Sequence, residues 1–264
     1  MKKIILSILI IGLIGFVGTI TFAARPTTPP AGIAGKIIAL DAGHGGTSFG
    51  AQYPANCAND GDDSDCLIYE KDVNLAVIYS LKSKLEASGA NVVLTRECNE
   101  QSPSNKERAT IASAKCAAVD VMGDGVADNK KCDVLLSVHH NGNIDPIHNG
   151  TLVIYNGKTD KKFATYMHDA LIAKFKGLDP NWKDEGYLSG GYGITIFGNF
   201  VSALTEAYYI TNTAEETANL AGVSSLVCDS DGDSVNDYSV LMGARTQQEV
   251  DAQYNGLVNY FSGI

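Results

Sequence analysis

The stretch DVLLSVHH, residues 133 to 140, carries almost no polar side chain before its closing pair of histidines. An apolar run of strand length predicts a strand buried on both faces, and such strands belong to parallel sheets with helices laid over each side. The neighbouring segments fit that scheme. Residues 36–42 form another short apolar strand, and 91–96 (NVVLTR) and 151–156 (TLVIYN) follow the same pattern. Between them lie segments of helical periodicity. In EKDVNLAVIYSLKSKLEASG the residues Val73, Val77, Leu81 and Leu85 fall on one face and Gly89 ends the run. Ser104 and Glu107 make a capping box for a helix from Asn105, and Thr213 and Glu216 a second one. A helix from Thr159 to about Phe175 turns Phe163, Met167 and Leu171 inward, and the chain closes on the helical stretch ARTQQEVDAQYNGLVNYF. Residues 177–199 are polar and glycine-rich and lead into FVSALTEAYY, a strand ending at Glu206. Strands separated by helices predict an α/β fold with a mostly parallel central sheet flanked by helices.

Nothing between residues 36 and 264 looks like a linker, so this region is expected to be a single domain. With 45% hydrophobic residues it has ample material for a core. The formal charge of −10 argues against nucleic acid as a partner and against electrostatic adhesion to anionic surfaces. The first 24 residues stand apart. Lys2 and Lys3 precede a long apolar run that closes on Thr21, Phe22, Ala23 and Ala24, the layout of a secretory signal peptide. The run also reaches the ~18 residues a membrane span needs, but the small residues at its end favour cleavage after Ala24. Residues 25–35 then form a short linker, and the product is a secreted or periplasmic protein, monomeric, with no stable membrane insertion. No cysteine lies at the junction for lipid attachment.

Export gives the six cysteines a role, because an even set in an oxidising compartment forms disulfides by default. No C-x-x-C pair supports metal binding instead. Cys57–Cys66 and Cys116–Cys132 each bracket a polar, loop-like segment, which leaves Cys98–Cys228 by elimination.

Four residues stand where α/β proteins keep their chemistry, beyond the carboxyl ends of strands. His44 lies in a glycine-rich turn after the first strand, His139 ends the third, Glu206 ends a later one, and Glu70 sits just ahead of a long helix. Two histidines and one carboxylate are the ligand set of a catalytic zinc with an open position, and a second carboxylate is what a zinc hydrolase needs to shuttle protons. Strand alternation sends His139 and His140 to opposite faces, so only one of them can be a ligand. His148 falls in a polar loop and His168 on a helix, and both are expected at the surface.

The motifs DAGHGG, YEKDVNLA, VVLTRE with ERATIASA, LLSVHHNG and LTEAYYITNTAEE occur in the order found in the zinc N-acetylmuramoyl-L-alanine amidases. The chain resembles that peptidoglycan-cleaving family over most of residues 36–262. The resemblance implies an amidase-type zinc-hydrolase fold with His44, Glu70 and His139 as zinc ligands and Glu206 as catalytic base. It also implies cleavage of the amide between N-acetylmuramic acid and L-alanine of peptidoglycan. Two departures stand out: His140 occupies a position usually small, and AYYITN puts tyrosines where the family has a Gly-Phe pair. An exported zinc peptidase acting on wall peptides is the nearest alternative.

Acidic insertions at about 57–66, 116–132 and 228–238 are extra. The segments GDGVAD (123–128) and GDSVND (232–237) share a pattern, and Asp229, Asp231, Asp233 and Asp237 resemble calcium loops of thrombospondin-type repeats. Structural Ca2+ there, or a plain solvated turn, are the two readings. A calcium-braced wall-binding module without catalysis is the corresponding alternative for the whole chain.

Overall fold

The computed structural model describes residues 32–55, 57, 66–220, 224–228 and 238–264, with backbone alone at 219–220, 224–228 and 238–242. The expected leader, residues 1–24, and the candidate calcium ligands Asp229, Asp231, Asp233 and Asp237 lie outside the described residues.

The apolar segments at 37–42 and 134–141 pair side by side at the heart of a six-stranded sheet. In chain order its strands are β1 (Ile37–Ala42), β4 (Asn91–Leu94), β5 (Val134–Asn141), β6 (Thr151–Tyr155), β7 (Asp184–Ser189) and β8 (Val201–Tyr209). Two short strands, β2 (Gln52–Tyr53) and β3 (Ile68–Tyr69), pair separately, as do β9 (Ser224–Cys228) and β10 (Tyr238–Met242). The main sheet runs in the order β4-β1-β5-β8-β6-β7. β4, β1, β5 and β8 are mutually parallel, β6 runs antiparallel to β8, and β7 is parallel to β6. The domain is therefore mixed α/β with a mostly parallel sheet.

Alternation along the strands sorts side chains to two layers. Ile38, Leu40, Val134, Leu136, Val138 and Ala203 face one layer, which is built by helices α1 (Glu70–Ala87), α3 (Lys158–Leu178) and α5 (Ala244–Ser262). Phe163, Met167, Leu171 and Phe175 of α3 are fully buried there at helical spacing, each contributing ~1.5–3 kcal/mol of apolar burial. Ile37, Ala39, Val93 and Leu135 face the other layer, against Ala109, Ala112 and Cys116 of α2 (Asn105–Ala117). Ser104 and Glu107 form the expected capping box of α2.

Three local expectations need correction. The 177–199 stretch contains β7, whose half-exposed sequence DEGYLS suits the sheet's outer edge and carries no apolar run. Helix α4 (Thr213–Leu220) starts differently from the expected Thr213–Glu216 box, because the Asn212 side chain accepts from the Ala214 and Glu215 N–H groups. Finally, β8 does not end at Glu206 but runs on to Tyr209 through a bulge. Opposite His139 and Asn141 it places Glu206 and Tyr209, one residue more than regular pairing allows.

Disulfides Cys57–Cys66 and Cys116–Cys132 are both present. Cys98 is also disulfide-bonded, while the side chain of its expected partner, Cys228, lies outside the described residues. Among the described residues, no helix is long and apolar enough to cross a membrane.

Candidate metal centre

Because β1, β5 and β8 are parallel, their carboxyl ends open on one edge of the sheet. The turn after β1 brings His44 to that edge with φ at 60°, left-handed for a residue that is not glycine. Such a conformation persists only where its surroundings impose it. Here two buried arginines do so by collecting the turn's carbonyls. Arg96 donates to Ala42 and Gly43, and Arg108 to Ala42 and His44. Arg108 is itself paired at 2.9 Å with buried Asp41, which also accepts from the Thr95 and Ser137 hydroxyls. Burial opposes ionisation of Asp41, but the Arg108 charge and these hydroxyls outweigh it and hold the carboxyl below the usual range.

Glu70 opens α1, where the helix N-terminus favours an anion. Its Oε2 accepts from the Ala51 N–H at 2.8 Å, and its Oε1 from the His140 N–H at 3.1 Å and Asn74 Nδ2 at 3.3 Å. His44 Nε2 approaches Oε2 at 3.1 Å and His139 Nδ1 approaches Oε1 at 2.9 Å. Burial would raise the Glu70 pKa, yet the hydrogen bonds and charges of His139 and His44 carry it well below the ordinary value. One donor atom from each of His44, Glu70 and His139 lies within 4.8 Å of the others. Two imidazoles and an ionised carboxylate so gathered are the donor set for zinc. The free ring nitrogen of His44, Nδ1, meets Ser48 Oγ at 3.0 Å, the outer contact that orients a metal-binding imidazole. Two glycines are required by close approach. A Cβ at Gly43 would lie 2.1 Å from the His139 ring, and one at Gly50 would lie 2.3 Å from Glu70 Oε2.

Glu206 pairs in register with His139, so both side chains leave the same face of the sheet. With His44, Arg108, Asn105 and Tyr192 they line a cavity of about 530 Å3. Glu206 Oε2 is buried and has no hydrogen-bond partner among the described residues. Burial first, then the charges of Glu70 and Glu249, push its pKa well above the ordinary value. A carboxyl group in that state, facing a cavity, is suited to receiving and returning a proton.

His140 points to the opposite face and is buried, away from the cavity. His168 is not at the surface as expected. It is buried between α3 and β7, where Asp184 and Asp169 flank its ring nitrogens at 2.8 and 2.9 Å and Tyr187 stacks on the ring. His148 is half-buried against Glu185. In the loop 119–128 the acidic groups are spent on the loop itself. Asp120 accepts from the Gly123, Asp124 and Gly125 N–H groups, Asp124 from Val126, and Asp128 from Val121. Arg96, Arg108 and Asn74 lie inside the motifs VVLTRE, ERATIASA and YEKDVNLA, but the residues alone assign them no part in the site, and Glu249 carries no signal beyond its place in the closing helical stretch.

A family model described as N-acetylmuramoyl-L-alanine amidase matches residues 38–220. The uncharacterized protein YqiI of Bacillus subtilis (strain 168) is 26% identical over 209 residues, 78% of this chain and 84% of that protein. The N-acetylmuramoyl-L-alanine amidase LytC of the same organism is 27% identical over 187 residues, covering 69% of this chain but 31% of LytC. Among solved structures, the catalytic domain of CwlV, an N-acetylmuramoyl-L-alanine amidase from Bacillus (Paenibacillus) polymyxa var. colistinus, superposes with a TM-score of 0.61. It is 22% identical and covers 86% of this chain and 98% of that domain, a likeness of fold.

Proposed function

The chain belongs to the N-acetylmuramoyl-L-alanine amidase family, and from that premise we propose an exported zinc hydrolase that cleaves the bond between N-acetylmuramic acid and the L-alanine of the peptidoglycan stem peptide. His44, Glu70 and His139 hold the zinc. Glu206 is the catalytic base. The observation that carries this reading is the buried, unpartnered Glu206 Oε2 in the cavity that also holds both histidines.

When bound, zinc supplies a Lewis acid for the scissile carbonyl and lowers the pKa of water towards about 7. Glu206 takes the proton of the attacking water and returns it to the departing L-alanine nitrogen. Its raised proton affinity favours holding that proton between the two transfers. Arg96 and Arg108 keep the His44 turn in its left-handed shape, so His44 is poised before any ligand arrives. Tyr192, largely exposed at the rim of the cavity, offers an aromatic face to a substrate entering from the wall. The leader expected over 1–24 and the two bracketed-loop disulfides support action outside the cytoplasm.

The test is digestion of purified sacculi by the mature protein, with new termini identified by mass spectrometry. Free L-alanine amino ends with intact muramic acid are expected. Cuts within the stem peptide would make the protein a peptidase, and binding without products would make it a wall-binding module.

A further inference from the structure

Behind the candidate metal centre, on the α1–α5 side of the sheet, four polar side chains form a string sealed from solvent. Gln253 and Glu249 of α5, His140 of β5 and Asn74 of α1 are all buried, all but His140 completely. Glu249 Oε2 meets His140 Nε2 at 2.7 Å, and its other oxygen accepts from Gln253 Nε2 at 2.6 Å. His140 Nδ1 meets Asn74 Oδ1 at 2.7 Å. Asn74 Nδ2 donates to the Gly43 carbonyl at 3.1 Å and to Glu70 Oε1 at 3.3 Å.

The direction of each bond follows from the donors available. A carbonyl can only accept, so Gly43 fixes the Asn74 amide with its nitrogen towards the metal centre and its oxygen towards His140. His140 Nδ1 therefore donates. Glu249, on the far nitrogen, holds the imidazole in the one orientation that makes this possible. The string ends on Glu70 and on the residue just before His44. His140 also reaches Glu70 directly, through its own backbone N–H at 3.1 Å. The tyrosine at 208 packs against the imidazole with ring centroids 4.4 Å apart, so the ring is confined on its face as well as at both nitrogens.

Polar groups buried to this degree are costly unless every bond is made. An apolar residue at 140 would fill the space without them. We infer that His140, clamped by Glu249, is a positioning residue that aims Glu70 at the metal through Asn74. Outer contacts of this kind typically change metal affinity by about 10–100-fold when removed. The inference rests on the proposed zinc site.

The test measures zinc dissociation constants by chelator competition on the mature protein, with Co(II) substitution as a spectroscopic readout of ligand geometry. His140→Leu, which keeps bulk and loses both bonds, should weaken zinc by about 10–100-fold and shift the Co(II) absorption. His140→Asn places an amide nitrogen where Nδ1 stands and should recover most of the affinity. Glu249→Gln, a milder change should the Leu variant fail to fold, should weaken zinc in the same direction. Asn74→Ala combined with His140→Leu should lose no more affinity than either alone, because both act on one string. Wild-type affinity and an unshifted Co(II) spectrum in His140→Leu, or rescue by Leu and not by Asn, would reduce His140 to a packing role. A wild-type protein that binds no zinc would overturn the metal site itself, a separate failure.

Discussion

Gly43→Ala isolates the steric demand of the candidate metal centre. Gly43 is not in the left-handed region, so alanine adds no backbone strain there. Its Cβ would stand 2.1 Å from His139 Cε1, 2.2 Å from Nε2 and 2.5 Å from Nδ1, where ordinary contact begins at 3.4 Å. The ring must retreat by about 1.3 Å, the difference between those two distances, or the turn carrying His44 must move by the same amount. The turn is the stiffer of the two, since Arg96 and Arg108 hold its carbonyls. His139 therefore yields. A displacement of about 1 Å in a reacting group typically costs ~100-fold in rate, roughly 2.7 kcal/mol. Zinc affinity and the rate of wall-amide hydrolysis should both fall, while the metal-free protein should melt near the wild-type temperature. Gly43→Ala that binds zinc and turns over like wild type would show that His139 is not held where the structure puts it, or is not needed there.

The Arg108–Asp41 pair should govern both stability and acid sensitivity. Arg108→Met leaves Asp41 buried without its counter-charge and should cost ~3–5 kcal/mol by urea unfolding, and a loss under ~1 kcal/mol would refute the pairing. Asp41 is held below the usual carboxylate range, so its contribution is present at neutral pH and fades as pH falls below about 4. Asp41→Asn should be less stable than wild type at neutral pH and approach it in acid; a constant gap would contradict this. Replacing Cys116 and Cys132 together by alanine opens a loop of sequence separation 16 and should lower unfolding stability by ~3 kcal/mol; an unchanged midpoint would mean the unfolded chain gains nothing from the open loop.

The parts of this fold that were legible from the residues are those where one pattern dominates. β5 and the buried face of α3 follow from apolar runs and helical spacing, and the three ligand candidates from turns and element ends. Local patterns failed where two solutions compete or where a neighbour decides. Asn212 and Thr213 both suit a helix start, and only packing selects Asn212. β7 is an edge strand with few apolar residues, so its pairing with β6 is tertiary information. The same strand covers His168, which helical phase alone leaves at the margin of the buried face. The two departures from the family pattern, His140 and the AYY segment, looked unrelated along the chain. The bulge after Glu206 turns Tyr208 into the core against His140, so two large residues meet there.

Zinc content and hydrolysis measured side by side in Glu206→Gln test the division of labour between the two carboxylates. In the proposed mechanism Glu206 only takes and returns a proton, and among the described residues it is not one of the three candidate ligands gathered at His44, Glu70 and His139. Glu206→Gln should therefore keep its zinc, bind sacculi and lose ~10²–10⁴-fold in rate. Glu70→Gln, the matched control, replaces an anionic ligand by a neutral amide and should lose the metal. A Glu206→Gln protein that comes out zinc-free, or that releases L-alanine ends at the wild-type rate, would contradict the assignment.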